Sequence, residues 1–300
     1  MEHEALFTKL VTKTYDYLVE NSIKNMVIGV SGGIDSTLVS AICHEVVTRY
    51  PYANFKLIGL SMPCDTNEEC ENLSADLVMK AFCDKRIYIN IQKEFEVVKD
   101  SCEQYHNSTK VSLGNIKARL RMIHLYNTAS VEGGIVMDND NLTENNTGFF
   151  TIHGDVCDLN PIGCLWKSEV YELSEWVANS YYLDKKYEKQ REAILCSMSL
   201  TPTDGNGVAE GGDMAQIAPG HTYSDVDQIL SVYIGQIKED DMHKCLADWS
   251  ESAKRSYEFL LKKYGKKTCE MVIDRHKRTE FKRKKMPIVP VSRAEINMLL

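Results

Sequence analysis

The turn Ser31-Gly32-Gly33-Ile34-Asp35-Ser36 contains the residues best suited to chemistry in the first part of the chain. It follows the apolar run 26–30 and precedes a helical pattern over 37–50, which together predict a strand, a tight turn and a helix. Two adjacent glycines let backbone amides converge on an anion at the positive end of a helix, and the carboxylate of Asp35 suits a divalent cation. The turn predicts a phosphate-binding loop, although an ordinary glycine-rich turn also contains such a pair. Because no lysine follows the glycines, it is not a Walker A loop.

Strands and helices alternate after this turn. Apolar runs at 56–63, 86–91 and 133–137 predict further strands, and 67–82 has a helical pattern. Alternation of this kind predicts an α/β fold with a doubly wound, mostly parallel, Rossmann-like sheet and helices on both faces. In such a sheet the ligand crevice lies at the carboxyl ends of the strands, where the turn is also expected.

Charged residues near the later strands allow two interpretations. A predicted helix over 114–127 has a cationic face with Lys117 and Arg121, and such a face is usually solvated. The acidic stretch 138–144 follows the fourth strand and is typical either of a metal and phosphate site or of a solvated loop. Lys167 begins a helix after a turn with proline and glycine, so we expect its ammonium to face the same crevice.

Composition limits the class of protein. The chain has 300 residues, 43% of them hydrophobic, and a net charge of −8, which argues against general binding of nucleic acid through a basic surface. Its ten cysteines are scattered without a C-x-x-C pair, which favours reduced thiols. We detect no signal peptide and no membrane span and therefore expect a cytoplasmic protein without a membrane partner.

Several motifs follow one another along the chain. They are S-G-G-x-D-S from 31, G-N-I-K-A-R-x-R-M-I from 114, D-N-L-T-E from 140, G-F-F-T from 148, H-G-D from 153, D-L-N-P-I-G from 158 and L-x-K-S-E-V-Y-E-L from 165. The first resembles the signature of the PP-loop ATP pyrophosphatases. Together, in order and approximate spacing, they resemble the NAD synthetases, in particular the ammonia-dependent form.

The resemblance implies a reaction and its participants. The pyridine carboxylate of nicotinate adenine dinucleotide (deamido-NAD) would attack the α-phosphate of ATP, releasing pyrophosphate, and ammonia would then displace AMP to give NAD. It also implies Mg²⁺ as cofactor, a homodimer, free ammonia as nitrogen source and an adenine nucleotide alpha hydrolase-like fold in a single domain over residues 1–300. No nucleic acid partner is expected.

The resemblance also implies the site residues. Asp35 and Lys167 would be catalytic, and Asp35 and Glu144 would ligate Mg²⁺. ATP would be bound by Gly29, Ser31, Gly32, Gly33, Asp35, Ser36, Asn139, Lys167 and Thr203. Deamido-NAD would contact Asn115, Arg119, Asp158, His276 and Lys277. Phe149 or Phe150 would shield the pyridine ring, with a core position as the alternative.

The chain departs from the family pattern at three places. Asp138-Asn139 stands where the family usually has Gly-Thr, and Ile152 stands where a lysine often follows F-F-T. The segment 209–219 also lacks the family's acidic cluster. These departures concern substrate contacts and leave the adenylating core intact.

Two regions late in the chain have alternative interpretations. The glycine-rich stretch 201–222 is either a lid or disordered, and Pro202-Thr203, which resembles a phosphate-contacting pair of the family, favours a lid. The basic tail 275–300 has the composition of a nucleic-acid or localisation patch, whereas the resemblance favours a tail that folds over the substrate.

Two further functions stay open from the sequence. One is a different PP-loop amide ligase, such as a tRNA-modifying or GMP-forming enzyme. The other is a nucleotide-binding regulator that has lost turnover, which the departures at Asn139 and Ile152 keep possible.

Overall fold

A sheet of four parallel strands lies at the centre of the computed structural model, which describes residues 2–203, 206–208, 211–236 and 250–284. The strands are β1 (Asn25–Gly29), β2 (Lys56–Ser61), β3 (Lys85–Tyr88) and β4 (Gly134–Met137). Their order is β3-β2-β1-β4, and Val27 in β1 lies opposite both Ile58 and Val136. The predicted parallel, doubly wound sheet is confirmed. Its direction of winding reverses between β1 and β4, where a ligand crevice is expected.

Helices cover both faces of this sheet. The described α-helices are α1 (His3–Glu20), α2 (Ile34–Arg49), α3 (Glu69–Phe82), α4 (Gln92–Glu103), α5 (Lys110–Glu132), α6 (Leu142–Thr147), α7 (Lys167–Trp176), α8 (Glu188–Ser199), α9 (Asp213–Ile217), α10 (Tyr223–Gln236), α11 (Glu251–Tyr264) and α12 (Lys266–Arg278). A π-helical turn, Val177–Tyr181, follows α7, and short 3-10 turns occupy Pro51–Ala53, Lys185–Tyr187 and Glu280–Arg283.

Alternate residues of the strands enter two different cores. Met26 and Ile28 pack with α1, α2, α3, α7 and α8 on one face, whereas Val27 packs with Phe95 of α4 and Leu120 of α5 on the other. This division follows from the period of two in a strand, whose successive side chains point to opposite faces. Both faces of β1 are therefore buried, which is typical of parallel sheets.

A third core joins the helices α9 to α12. It contains buried residues of α9 to α12, among them Ile229 and Val272, and the partly buried Phe149 and Trp166 pack against it. Since Trp166 directly precedes α7, this core holds the late helices against the elements that follow β4. Among the described residues, no helix is both long and apolar enough to cross a membrane.

Local signals set the ends of the helix that carries the cationic face. The hydroxyl of Thr109 accepts a hydrogen bond from the Ser112 amide and caps the start of α5. Gly133 ends α5 with a positive φ of 62°, which glycine adopts at little cost. The helix predicted over 114–127 is therefore the middle of a longer one.

Candidate active site

A cavity of about 440 Å³ opens at the carboxyl ends of the strands. Its wall includes Gly29 at the end of β1, Met62 after β2 and Asn139 after β4. Residues of the late helices, among them Arg275 and Lys282, close another side. The cavity thus lies at the reversal point of the sheet, as expected for this class of fold.

The predicted phosphate turn forms one wall of this cavity. Ser31, Gly33, Asp35 and Ser36 all line it. The Ser31 hydroxyl accepts a hydrogen bond from the Gly33 amide at 3.2 Å, and the Ser36 hydroxyl donates to the Gly33 carbonyl at 3.0 Å. The first amide bonded within α2 is that of Thr37, to the Gly33 carbonyl, so the preceding amides lack an intrahelical acceptor. They can receive an anion at the positive end of α2.

Gly32 supports this turn from behind. It has a φ of 88°, and a Cβ at this position would lie 2.4 Å from the Glu71 carbonyl oxygen and 2.8 Å from the Ala75 nitrogen. The Gly32 carbonyl accepts a hydrogen bond from the Ser74 hydroxyl of α3 at 2.8 Å. Gly32 does not line the cavity, so the structure gives it a role in packing the turn against α3.

Three charged side chains meet beside the phosphate turn. The Lys167 ammonium donates to the Asp35 carboxylate and, at 3.4 Å, to Oε1 of Glu144. Lys167 is 2% exposed, and all three residues line the cavity. The ring of Tyr223 lies 5.5 Å from the same ammonium. One cation therefore lies between the two carboxylates that the sequence predicts as metal ligands.

Burial and charge act in opposite directions on the pKa values of this group. Burial alone would lower the pKa of Lys167, but Asp35 and Glu144 outweigh it and hold that pKa well above its ordinary value. Burial raises the pKa of Glu144 to about 8, against the opposing effect of Lys167. Lys167 thus stays a cation. Any further cation that enters the site would lower the pKa of Glu144 and favour its ionised form.

Asn141 connects the two carboxylates and was missed from the sequence. Its Oδ1 accepts from the Glu144 amide at 3.0 Å, and its Nδ2 donates to Asp35 at 2.9 Å. Glu144 in turn accepts from the Asn141 amide through Oε2, which completes a capping box at the start of α6. The pattern N-x-x-E at 141–144 is a sequence signal for such a box.

The loop after β4 contains the first departure from the family pattern. Asn139 donates to the Gly29 carbonyl at 3.0 Å and lines the cavity. Asp138 is 3% exposed and accepts from the Asp140 and Cys157 amides and from the Asn160 side chain. Burial raises the pKa of Asp138 to about 6. Asp138 therefore fastens this loop to the segment 157–160, and Asn139 is the residue of this pair that lines the cavity.

The predicted contacts with deamido-NAD fall into two places. Asn115 lines the cavity and accepts from the Thr151 hydroxyl at 2.9 Å. Arg119 is exposed outside the cavity and donates to the Ile152 carbonyl at 3.2 Å. Asp158 also lies outside, where it accepts from the Tyr126 hydroxyl and the Val136 amide. The structure therefore brings Asn115 into the cavity with the phosphate turn but does not bring Arg119 or Asp158 there.

The basic tail reaches the cavity through residues other than those predicted. His276 is 6% exposed, hydrogen-bonds the Asn146 carbonyl through Nδ1 at 2.9 Å and packs against Tyr233. Lys277 lies over the same tyrosine ring, and neither residue lines the cavity. Arg275 and Lys282 line it instead. Residues 285–300 of the predicted tail, 275–300, lie outside the described residues.

Lys282 lies close to the aromatic pair of the G-F-F-T motif. Its ammonium donates to the carbonyls of Gly148, at 2.8 Å, and of Phe150. It lies 4.9 Å from the centre of the Phe150 ring, while Arg275 lies 5.6 Å from that of Phe149. Both phenylalanines line the cavity, and Phe149 also packs against the third core. Phe149 therefore both lines the cavity and packs against the core.

The cationic face of α5 holds two loops together. Lys117 is 3% exposed and pairs with Asp65 at 3.0 Å, so its interpretation as part of a solvated face is wrong. Arg121 donates to the Met62 carbonyl, to Asn67 and, at 2.6 Å, to Asn206. It therefore connects the loop after β2 with the predicted lid.

The predicted lid, 201–222, borders the cavity where it is described. Thr203 lines the cavity and donates to Glu71 at 2.5 Å. Asn206 and Val208 also line it. Residues 204–205 and 209–210, the latter in the segment that departs from the family, lie outside the described residues.

Comparisons with known proteins agree on one family. The family model described as NAD synthase matches residues 6–286. An NH(3)-dependent NAD(+) synthetase of Wolinella succinogenes is 28% identical over 288 residues, 96% of each chain. One of Campylobacter jejuni is 34% identical over 208 residues, 65% of this chain and 80% of that protein.

Solved structures share the fold. An NMN synthetase from Francisella tularensis is similar with a TM-score of 0.71 and 24% identity, covering 97% of this chain and 100% of the other. The NH3-dependent NAD synthetase from Campylobacter jejuni has a TM-score of 0.67 and 23% identity, covering 96% and 100%. At these identities the likeness concerns the fold.

Proposed function

The chain belongs to the NAD synthase family, and on that premise we propose that it is a ligase that amidates deamido-NAD to NAD with ammonia and ATP. The observation that carries the proposal is the meeting of Asp35, Glu144 and Lys167 beside an anion-binding turn in one cavity. These groups are suited to activating a carboxylate through ATP.

A carboxylate is a poor acyl donor because its leaving group would be oxide. In the proposed first step, an oxygen of the pyridine carboxylate attacks the α-phosphorus of ATP, and the bond to the departing pyrophosphate breaks. In the second step, the nitrogen of ammonia attacks the carbonyl carbon, AMP leaves with the electron pair of its C–O bond, and one proton is lost from nitrogen. The protein contributes positioning and neutralisation of charge.

The phosphate turn and Lys167 would hold the reacting phosphates. The amides at the start of α2 and the hydroxyls of Ser31 and Ser36 would donate to phosphate oxygens. The buried ammonium of Lys167 would stabilise the negative charge that develops on them, and its effect is large because the site is shielded from water. Asn139 and Thr203 would contribute further contacts from the loop after β4 and from the lid.

Asp35 and Glu144 fit a magnesium ion. Their oxygens already face one cation, the Lys167 ammonium, from two sides. Within the described part of the chain no cluster of three or more acidic, histidine or cysteine side chains is arranged as a metal site, and Mg²⁺ is commonly held by one or two carboxylates together with phosphates. When bound, Mg²⁺ would supply neutralisation of phosphate charge.

We propose that Lys282 and Arg275 supply cations to the deamido-NAD side of the cavity. Ile152 offers no charge where the family often has lysine, whereas Lys282 lies over Phe150 in the same wall. Phe150 would shield the pyridine ring, and Asn115 would donate to the substrate. This assignment replaces His276 and Lys277, because Arg275 and Lys282 line the cavity and those two residues do not.

Arg119 and Asp158 suit a role in a homodimer. Both lie outside the cavity, Asp158 in contact with the edge strand β4 and Arg119 exposed on α5, where the nearby Ile123 is 55% exposed. We propose that this surface pairs with a second copy, so that both residues approach the substrate at the interface. Sedimentation of the protein should give about twice the 34.1 kDa mass of one chain, and a monomer at micromolar concentration would contradict this.

We further propose that residues 1–300 act as one unit, because Arg275 from α12 and Ser31 from the phosphate turn line the same cavity. We also propose that this unit acts in the cytoplasm. The described cysteines are free thiols, as is typical of a reducing compartment.

One assay tests the function. The protein is incubated with ATP, Mg²⁺, ammonium and deamido-NAD, and both NAD and pyrophosphate are measured. We expect NAD and pyrophosphate to form in equal amounts, and we expect NAD only when ammonium is present. Nicotinate mononucleotide, which carries the same pyridine carboxylate, is tested in parallel as an alternative substrate. The ratio of the two kcat/KM values measures how much the remainder of deamido-NAD contributes to catalysis. Binding of ATP without any product would contradict the proposal and support a regulator.

A further inference from the structure

The first amides of α7 are capped by residues from two other helices. The Lys167 amide donates to the hydroxyl of Thr143 in α6 at 2.8 Å. The Ser168 amide donates to Oδ2 of Asp227 in α10 at 2.9 Å. Amides in the first turn of a helix have no intrahelical acceptor, so α7 depends on α6 and α10 for these partners.

The two capping residues are joined to each other. The Thr143 hydroxyl donates to Oδ1 of Asp227 at 2.5 Å. This hydroxyl therefore uses its proton for Asp227 and a lone pair for the Lys167 amide. Thr143 is 0% and Asp227 4% exposed, so water does not compete for these hydrogen bonds.

This network lies directly behind the reacting groups. Thr143 precedes Glu144, and Ser168 follows Lys167. A carboxylate beside the start of a helix is also stabilised by the helix dipole. Asp227 therefore connects the backbone that carries Glu144 with the backbone that carries Lys167, while its own carboxylate does not line the cavity.

Tyr223 gives the same helix a second contact with Lys167. It precedes Asp227 by four residues and thus lies on the same face of α10. Its ring lies 5.5 Å from the Lys167 ammonium, and its hydroxyl donates to Asp213 at 3.3 Å. The neighbouring Val226 and Ile229 are buried in the third core, so α10 has a fixed support.

We propose that Asp227 is a positioning residue for adenylation, which holds α6 and α7 at the spacing that places Glu144 and Lys167 around the phosphates. The inference rests on the proposed function. It assigns α10 and the third core a role in catalysis through Thr143 and Ser168, without contact between Asp227 and the substrates.

The test compares four variants. Thr143→Val removes the hydroxyl at nearly constant shape, Thr143→Ser retains it, Asp227→Asn removes the charge, and Asp225→Asn is the control. Asp225 lies on the same helix but accepts hydrogen bonds from Thr222 away from the cavity. Pyrophosphate release and NAD formation are measured, with the folded fraction obtained from urea unfolding of each variant.

We expect kcat per folded molecule to fall about tenfold to a hundredfold in Thr143→Val and Asp227→Asn, since a misplacement of about 1 Å can have this effect. KM for ATP should change less than kcat, because the phosphate turn is untouched. Thr143→Ser and Asp225→Asn should retain near-normal kcat. A fall in stability with an unchanged kcat per folded molecule in the first two variants would overturn the proposal.

Hydrogen exchange of peptides covering 164–172 gives a readout that does not depend on activity. Exchange at this segment should accelerate in Asp227→Asn and Thr143→Val but not in Asp225→Asn. If the wild-type protein makes no NAD, the proposed function fails, while exchange still reports on the cap. Unchanged exchange in the first two variants, with an active wild type, would overturn the positioning role alone.

Discussion

The ammonium of Lys167 is hydrogen-bonded to the carboxylate of Asp35, although 132 positions separate the two residues in the chain. Asp35 lies in the first turn of α2 and Lys167 in the first turn of α7. The pair therefore brings two helix starts, each with a positive dipole end, to one place. Such an arrangement favours a ligand with several negative charges, as ATP has.

Lys167→Met should lower kcat about a hundredfold or more, because a preorganised cation next to the developing charge is lost. The variant leaves the carboxylates of Asp35 and Glu144 facing each other without their shared cation. Pyrophosphate release with saturating substrates measures the effect. Lys13→Met, at an exposed position of α1, is the control. A rate within threefold of the wild type would show that the phosphate site lies elsewhere.

Asn141→Ala should lower both stability and activity. Loss of the cap of α6 should cost ~1 kcal/mol of unfolding free energy, and Asp35 loses the donor that orients it. Thr109→Ala removes a similar cap from α5 and should cost a similar free energy with normal kcat. Urea unfolding and steady-state kinetics separate the two effects. Equal kcat values for the two variants would mean that Asn141 is only a cap.

Lys282→Met should raise KM for deamido-NAD about tenfold, with a smaller effect on KM for ATP, since one charge-assisted contact is worth about 1.5–3 kcal/mol. Lys284→Met is the matched control, because Lys284 is exposed and pairs only weakly with Glu280. Initial rates at varied deamido-NAD provide the measurement. If His276→Gln raised that KM and Lys282→Met did not, the family's H-K assignment would apply here.

His276 should make stability dependent on pH. Burial, with a contribution from Arg283, lowers its pKa below the ordinary 6.5, so the folded protein favours neutral imidazole. Its contribution is therefore complete above pH 6.5 and is lost as the pH falls towards the lower pKa of the folded state. We expect the difference in unfolding free energy between wild type and His276→Gln to shrink from pH 7 to pH 5. A difference that stays constant would contradict this.

The sequence predicted those parts of the site that local patterns define. The turn at 31–36, the strands and the orientation of Lys167 follow from apolar periodicity, glycine and helix starts, which act over a few residues. The packing of Gly32 against α3 could not be predicted in this way, because α3 approaches the turn only in the folded protein. No local pattern indicates that approach.

The tail shows the same limit. It contains two similar pairs, Lys277-Arg278 and Lys282-Arg283, and their composition does not distinguish them. The fold determines which pair reaches the cavity. Helix α12 continues through His276, whose ring packs against Tyr233 in the third core. Lys282 then follows in a short 3-10 turn and meets the carbonyls of Gly148 and Phe150.

The position of Lys282 has a consequence for synthesis of the protein. A ribosome synthesises the phosphate turn at 31–36 well before it reaches Lys282. Until then, the wall beside Phe150 lacks its cation, and the third core that supports α10 lacks α12. A nascent chain that ends before Lys282 should therefore bind deamido-NAD poorly, even though its phosphate turn has already been synthesised.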